Sequence, residues 1–220
     1  MNKQKFADNF STQKRVGQFL FSKIEAKLLG KYVSKFPSCI ETYHLTILTI
    51  VWSALIILFG YFAIENIYWL FGISLLIFLQ WFTDLFDGAI GRHRNTGLVR
   101  WGYHMDHFLD YIFLYSILIS YTFLLPEISL QIVLIGIILG AFMVNGFLAF
   151  SVSNKFKISH FGIGPTEIRF SLILFNIFLI FFGTWILELV IPYVLVVSFI
   201  GLLIIVYLTQ KELWKLDMGN

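Results

Sequence analysis

The sequence contains little charge, since Lys, Arg, Asp and Glu together make up only 13% of its 220 residues. Soluble domains carry roughly 25% of these residues. The chain is instead 58% hydrophobic and 19% aromatic. This composition excludes an ordinary soluble domain and predicts an all-α integral membrane protein.

Cysteine is equally scarce, because Cys39 is the only one in the chain. A single cysteine excludes an internal disulfide and a zinc site built from several thiolates. The HxxxH and HExxH spacings of zinc-binding helices are missing too. Any metal site in this sequence is therefore expected to use oxygen ligands.

Hydropathy indicates six transmembrane helices of about 20 residues each. The predicted spans are 45–63, 67–86, 105–125, 130–151, 168–187 and 191–209. Residues 43–220 are thus expected to form a single transmembrane domain. No cleavable signal is expected, because the first apolar run of spanning length begins only near Leu45.

The first 42 residues are polar and basic, with apolar side chains that recur close to the helical period. One helical face would carry Val16, Phe19, Leu20, Ile24, Leu28 and Tyr32. This pattern predicts an N-terminal amphipathic helix that ends at Pro37 and lies on an anionic cytosolic membrane surface. The alternative is an ordinary cytosolic helix that covers the core.

The basic residues are distributed unequally between the two sides of the membrane. In a six-span topology all 16 Lys and Arg residues fall on one side, while the charged residues in the three opposite loops are all acids. Those acids are Glu65, Glu127 and Glu188. By the positive-inside rule, both termini are cytosolic, and a bacterial cytoplasmic membrane is the expected location.

Four carboxylates lie near the loop-side ends of spans two and three: Asp84, Asp87, Asp106 and Asp110. The two members of each pair are three or four residues apart, so they lie within roughly 60° of each other on one helical face. The segment 91–102 between the pairs contains an Asn-Thr-Gly turn and predicts a chain reversal. The four acids are therefore expected to converge near the cytosolic surface.

Unpaired carboxylates within a membrane cost about 2.5 to 3.5 kcal/mol each. Hard divalent cations such as Mg2+ or Mn2+ would offset this cost, and a pair of them is the usual device for phosphoryl transfer. The alternative is that the acids form buried ion pairs with arginines. The candidates for that pairing are Arg92, Arg94 and Arg100.

The same stretch resembles the signature of the CDP-alcohol phosphotransferases, DxxDGxxAR followed by GxxxDxxxD. The matching residues are Asp84, Asp87, Gly88, Arg92, Gly102, Asp106 and Asp110. Gly91 stands where the family usually has alanine. A second departure lies at the first span, where TYHLT replaces the PNxLT of many members, so only Leu45 and Thr46 agree.

The resemblance implies a role for each matching residue. It implies two divalent cations, Mg2+ or Mn2+, held by Asp84, Asp87, Asp106 and Asp110, and it implies that Asp110 also takes the proton from the acceptor hydroxyl. Gly88, Gly91 and Gly102 would make room for the CDP-linked donor, whose phosphates Arg92 would bind. Close helix packing is the alternative explanation for the glycines. The resemblance also implies a homodimer.

The stretch GPTEIR, at the start of span five, is a further candidate region because it faces the aspartates from the cytosolic side. Thr166, Glu167 and Arg169 are possible acceptor-binding residues, although a plain helix start would explain them equally well.

The function implied is transfer of a substituted phosphoryl group from a CDP-linked donor to a hydroxyl, with release of CMP. His107 makes the second half-motif GYHMDHFLD similar to the GxxxDHxxD of choline and ethanolamine phosphotransferases. This favours CDP-ethanolamine or CDP-choline with a diacylglycerol-type lipid acceptor. The alternative is CDP-diacylglycerol with a soluble alcohol, for which Lys155, Lys157 and Arg169 would bind a phosphorylated acceptor. More distant alternatives are a membrane prenyltransferase and an ion transporter, and no nucleic-acid partner is expected.

Overall fold

The structure, a computed structural model, describes residues 21–95, 98–153 and 165–219. Within these residues it contains seven α-helices and no strand, and six of the helices are long and apolar enough to cross a membrane. The helices are α1 (Ser22–Tyr32), α2 (Thr42–Phe62), α3 (Trp69–Arg94), α4 (Val99–Leu124), α5 (Ser129–Ser153), α6 (Pro165–Phe182) and α7 (Trp185–Asp217). The predicted all-α membrane protein with six spans is confirmed.

The reversal between the two aspartate-bearing helices is shorter than predicted. α3 continues to Arg94 and α4 begins at Val99, so Gly91 and Gly102 lie inside helices. Asn95 ends α3 with a φ of 52°, a left-handed conformation that asparagine adopts more readily than most residues. The connection between the two helices therefore comprises only residues 95–98.

The boundary between the last two spans also differs from the prediction. α6 ends at Phe182, and Gly183 follows with a φ of 82°, a conformation that favours glycine. α7 begins at Trp185, so Glu188 lies in its first turn and not in a loop. The apolar run continues across this break, and hydropathy therefore placed the boundary too late.

The spans are packed around α3 and α4. α2 packs against both of these helices, α6 packs against α3, and α5 packs against α4 and α7. The buried core includes Ile56, Ile73, Ile77, Phe113, Ile117 and Leu179. Gly60 of α2 lies so close to Ser120 of α4 that an added Cβ would clash with it, as expected where small residues let membrane helices approach.

The N-terminal segment contains a helix, α1, which carries three residues of the predicted apolar stripe: Ile24, Leu28 and Tyr32. Val16, Phe19 and Leu20 lie outside the described residues. Ile24 and Tyr32 are exposed, and the buried residue of α1 is Glu25. That this helix lies on the membrane surface therefore stays a prediction.

Candidate active site

Three of the four predicted aspartates meet between α3 and α4. One carboxylate oxygen from each of Asp84, Asp106 and Asp110 lies within 4.8 Å of the others. All three side chains are partly exposed, so the cluster can be reached from outside the protein. Three convergent carboxylates are a donor set suited to a hard divalent cation, and this cluster could hold a metal ion.

Asp87 is oriented differently from the other three acids. Its Oδ2 accepts a 2.6 Å hydrogen bond from the Thr46 hydroxyl of α2, and its backbone carbonyl accepts a 3.4 Å bond from Thr42 Oγ1. The carboxylate is buried between α3 and α2. The structure therefore brings Asp87 to the edge of the site, whereas Asp84, Asp106 and Asp110 form its centre.

Arg169 joins the two aspartate-bearing helices from the first turn of α6. Its Nη1 lies 2.9 Å from Asp84 Oδ2, and its Nη2 lies 2.7 Å from Asp110 Oδ1. The Arg169 side chain is only 7% exposed. The sequence predicted Arg169 as part of an acceptor region, and its direct ion pairs with two motif aspartates were not anticipated. One guanidinium among three carboxylates still leaves a surplus of negative charge.

Arg94 has a structural position away from the aspartates. Its guanidinium donates to the backbone carbonyls of Phe36, Pro37 and Ile40, and it lies 3.7 Å from a Glu41 carboxylate oxygen. Arg94 therefore holds the connection between α1 and α2 against the end of α3. The Arg94 side chain thus binds backbone carbonyls and does not pair with the motif acids.

Two motif glycines have open surroundings within the described part of the chain. A Cβ added to Gly102 would meet no atom within 4 Å, and one added to Gly88 would meet only the Arg92 side chain, at 3.2 Å. No neighbouring helix packs closely on either residue, so close helix packing does not explain them. Space beside Gly88 and Gly102 is compatible with a bound donor, and the exposed Arg92 side chain borders it.

The other two residues of the predicted acceptor region contact the N-terminal segment. Thr166 Oγ1 donates a 2.6 Å hydrogen bond to Glu25 Oε1, and Glu167 Oε1 accepts a 3.4 Å bond from the Phe21 backbone. Arg169 is the residue of the predicted acceptor region that bonds directly to Asp84 and Asp110.

Comparison with known proteins identifies the family to which this chain belongs. Residues 43–209 match the family model described as CDP-alcohol phosphatidyltransferase. The chain belongs to this family. Comparisons with curated proteins and with solved structures gave no match. The suspected resemblance is thus confirmed over all six spans, and the chain is a membrane-embedded member of a transferase family.

A CDP-alcohol phosphatidyltransferase acts where water and lipid meet, and this one has an apolar cavity beside its aspartates. The cavity has a volume of about 460 Å³ and runs between α4, α5, α6 and α7. Its polar end is formed by His107, Asp110 and Arg169. The rest of the lining is almost entirely apolar and includes Leu114, Phe142 and Leu172. Asp110 and Arg169 therefore border a cavity that could hold a hydrocarbon chain.

Two further side chains contact the acids of this transferase. Gln80 Nε2 lies 3.5 Å from Asp110 Oδ1, and the side chain is 1% exposed. His107 Nδ1 lies 3.3 Å from Asp106 Oδ2, while its ring stacks on Phe147. The sequence reasoning missed Gln80, although it stands one helical turn before Asp84 on the same face.

Proposed function

We propose that this protein transfers a phosphoethanolamine or phosphocholine group from the CDP-linked donor to a diacylglycerol-type lipid and releases CMP. The observation that carries this proposal is the position of Asp110 at the polar end of the apolar cavity. A base that accepts a proton from the acceptor must lie within hydrogen-bond reach of its hydroxyl. The cavity beside Asp110 would then hold the acyl chains of the acceptor.

The contacts of Arg169 support the same choice of acceptor. A phosphorylated soluble acceptor would need a free cation, and the Arg169 guanidinium is already bound to two carboxylates. Lys155 and Lys157, the other basic residues considered for this role, lie outside the described residues. The apolar lining of the cavity supports a lipid acceptor in this proposal.

In this proposal, Asp84, Asp106 and Asp110, with Asp87 at the edge, would hold two divalent cations, Mg2+ or Mn2+. The cations would neutralise the diphosphate of the donor and stabilise charge on the attacking and leaving oxygens. Asp110 takes the proton from the acceptor hydroxyl, whose oxygen forms a bond to the phosphorus next to the amino alcohol. The bond from that phosphorus to the bridging oxygen breaks, and CMP leaves with the bonding electrons. Gly88, Gly91, Gly102 and Arg92 would receive the nucleotide.

A two-armed assay on the purified protein tests the choice of substrates. One arm supplies CDP-choline or CDP-ethanolamine with diacylglycerol, and the other supplies CDP-diacylglycerol with glycerol phosphate, inositol phosphate or serine. Each arm is run with Mg2+, with Mn2+ and with a chelator, and CMP is measured. CMP in the first arm alone is expected. CMP in the second arm alone would reverse the assignment of donor and acceptor while leaving the reaction class unchanged.

We further propose that the aspartate site and both termini face the cytosol of a bacterial cytoplasmic membrane, as the one-sided distribution of basic residues predicts. In a Cys39→Ser background, Asn95→Cys should be protected from an impermeant thiol reagent in intact cells, while Glu127→Cys should react. The reverse labelling pattern would overturn this topology. The division into a cytosolic segment, residues 1–42, and a catalytic domain, residues 43–220, stays part of the proposal, as does the homodimer.

The family match favours phosphoryl transfer over the prenyltransferase and ion-transporter alternatives. Both of those alternatives would also place acids in a membrane, but neither predicts release of CMP. The metal-dependent CMP assay therefore separates them from the proposed function as well.

A further inference from the structure

The buried face of α1 is held by a carboxylate. Glu25 is 8% exposed, and within the described residues its Oε1 accepts hydrogen bonds from side chains on two other helices. Thr166 Oγ1 of α6 donates the first, at 2.6 Å, and Trp81 Nε1 of α3 donates the second, at 3.4 Å. Burying a carboxylate is costly, whereas an apolar residue would dock a helix without that cost. The carboxylate therefore has a use that simple docking does not explain.

The two donors to Glu25 stand one helical turn before two residues of the site. Trp81 precedes Asp84 by three residues on α3, and Thr166 precedes Arg169 by three residues on α6. Residues three apart lie on one side of a helix. The Glu25 contacts and the ion pair from Arg169 to Asp84 therefore join the same two helices at adjacent turns.

Aromatic contacts strengthen this junction. The Phe21 ring stacks on Phe170 with ring centroids 4.9 Å apart, and Trp81 meets Phe170 edge-on at 5.2 Å. Phe170 is the residue directly after Arg169. Phe170 of α6 is thus in contact with Phe21, the residue before α1, and with Trp81 of α3.

We propose that Glu25 is a positioning residue: it fixes the first turn of α6 against α3 and so sets the place of the Arg169 guanidinium between Asp84 and Asp110. The consequence for chemistry rests on the function proposed above. α1 is then a part of the active-site architecture, beyond any contact it makes with the membrane surface.

A mutant cycle tests this inference. Glu25→Ala should lower CMP release about tenfold or more, because misplacing a group by about 1 Å can cost a hundredfold in rate. It should also change Mn2+ affinity in the same direction as Arg169→Gln. The double variant should match Arg169→Gln alone, since both changes act through one guanidinium. Glu25→Gln keeps the accepting oxygen and should restore both readouts.

Lys27→Ala, at an exposed position on the same helix, is the matched control and should leave both readouts unchanged. If Glu25→Ala fails to fold, Thr166→Val removes only the shorter hydrogen bond and should move both readouts in the same direction by less. Wild-type Mn2+ affinity in Glu25→Ala, or effects that add fully to those of Arg169→Gln, would overturn the inference. The Mn2+ cycle needs no substrate, so it remains decisive even if the proposed donor and acceptor both give no CMP.

Discussion

Helices α3, α4 and α6 are joined by polar side chains at two levels, and the two levels have opposite chemistry. In the apolar interior, Tyr121 OH donates a 2.6 Å hydrogen bond to Asn176 Oδ1, and Asn176 Nδ2 donates a 3.2 Å bond to Ser74 Oγ. Near the loop end of the hairpin, Arg169 joins Asp84 and Asp110. The same three helices contribute residues to both sets.

The interior set is neutral and its donors and acceptors are matched, as stability within a membrane requires. The loop-end set is charged and unbalanced, because Asp106 brings a third carboxylate to a single guanidinium. A neutral matched network needs nothing further, whereas an unbalanced cluster calls for additional positive charge. The comparison teaches that the neutral set can join the helices by itself, whereas the charged set could also hold a metal ion.

The largest expected effect is on turnover, from Asp110→Asn. Asparagine keeps an oxygen that can accept from Arg169 but cannot take a proton, so CMP release should fall by about 10²- to 10⁴-fold, the usual value of a general base. Much of the Mn2+ and CDP-donor affinity should be kept, because the asparagine oxygen can still act as a ligand. Asp217→Asn, at an exposed position, serves as control. Full turnover in Asp110→Asn would remove this residue as the base.

Metal affinity should respond next, through Asp84→Ala and Asp106→Ala. Residues that merely orient a metal ligand are worth about ten- to a hundredfold in affinity, so loss of a ligand should cost at least about a hundredfold in Mn2+ binding. Titration of Mn2+ followed by its paramagnetic resonance signal measures this directly. Asp217→Ala is the matched control. Unchanged Mn2+ binding in both variants would show that the three aspartates serve only in structural ion pairs and do not bind a metal.

The two levels differed in how far the sequence could predict them. The aspartates were found because their spacing is local, and the six spans because apolar runs of 20 residues are unmistakable. The partners were not found. Arg169 lies 85 residues from Asp84, and Asn176 lies 102 from Ser74. Such pairs depend on which helices become neighbours, and periodicity within one helix carries no information about that.

Glu25 is a second residue whose contacts the sequence could not predict. Its neighbours on α1 indicated a helix with an apolar stripe, yet the stripe residues Ile24 and Tyr32 are exposed, and the carboxylate between them in sequence is buried. A carboxylate in a basic amphipathic segment normally indicates a solvated face. Trp81 and Thr166 approach it from two other helices, and the sequence of α1 does not indicate either contact.

A stability effect without a metal effect is expected from the interior set. Asn176→Leu leaves the buried Tyr121 hydroxyl without its partner, so the protein should lose about 1 to 3 kcal/mol of unfolding free energy. Its Mn2+ affinity should be that of the wild type. Asn145→Leu removes a similar but half-buried contact, a 3.1 Å bond to Thr209, and should cost less. A change in Mn2+ affinity on Asn176→Leu would show that the two levels are coupled.

The smallest expected effect is that of a change at Thr46 on Mn2+ binding. It tests whether Asp87 belongs with the neutral interior set or with the charged cluster. Asp87 is buried and hydrogen-bonded like the interior residues, yet it lies in the aspartate motif next to the charged cluster. If Thr46 orients Asp87 as a metal ligand, Thr46→Val should weaken Mn2+ binding by about tenfold, the lower range for such orienting contacts. Asp87→Ala should weaken it further. Thr49→Val removes the same kind of hydroxyl one turn along α2 and should have no effect. The opposite outcome is that Thr46→Val and Asp87→Ala both lower the melting temperature and leave Mn2+ binding intact. Asp87 would then join α2 to α3 as the interior residues join their helices, and the cations would be held by Asp84, Asp106 and Asp110 alone.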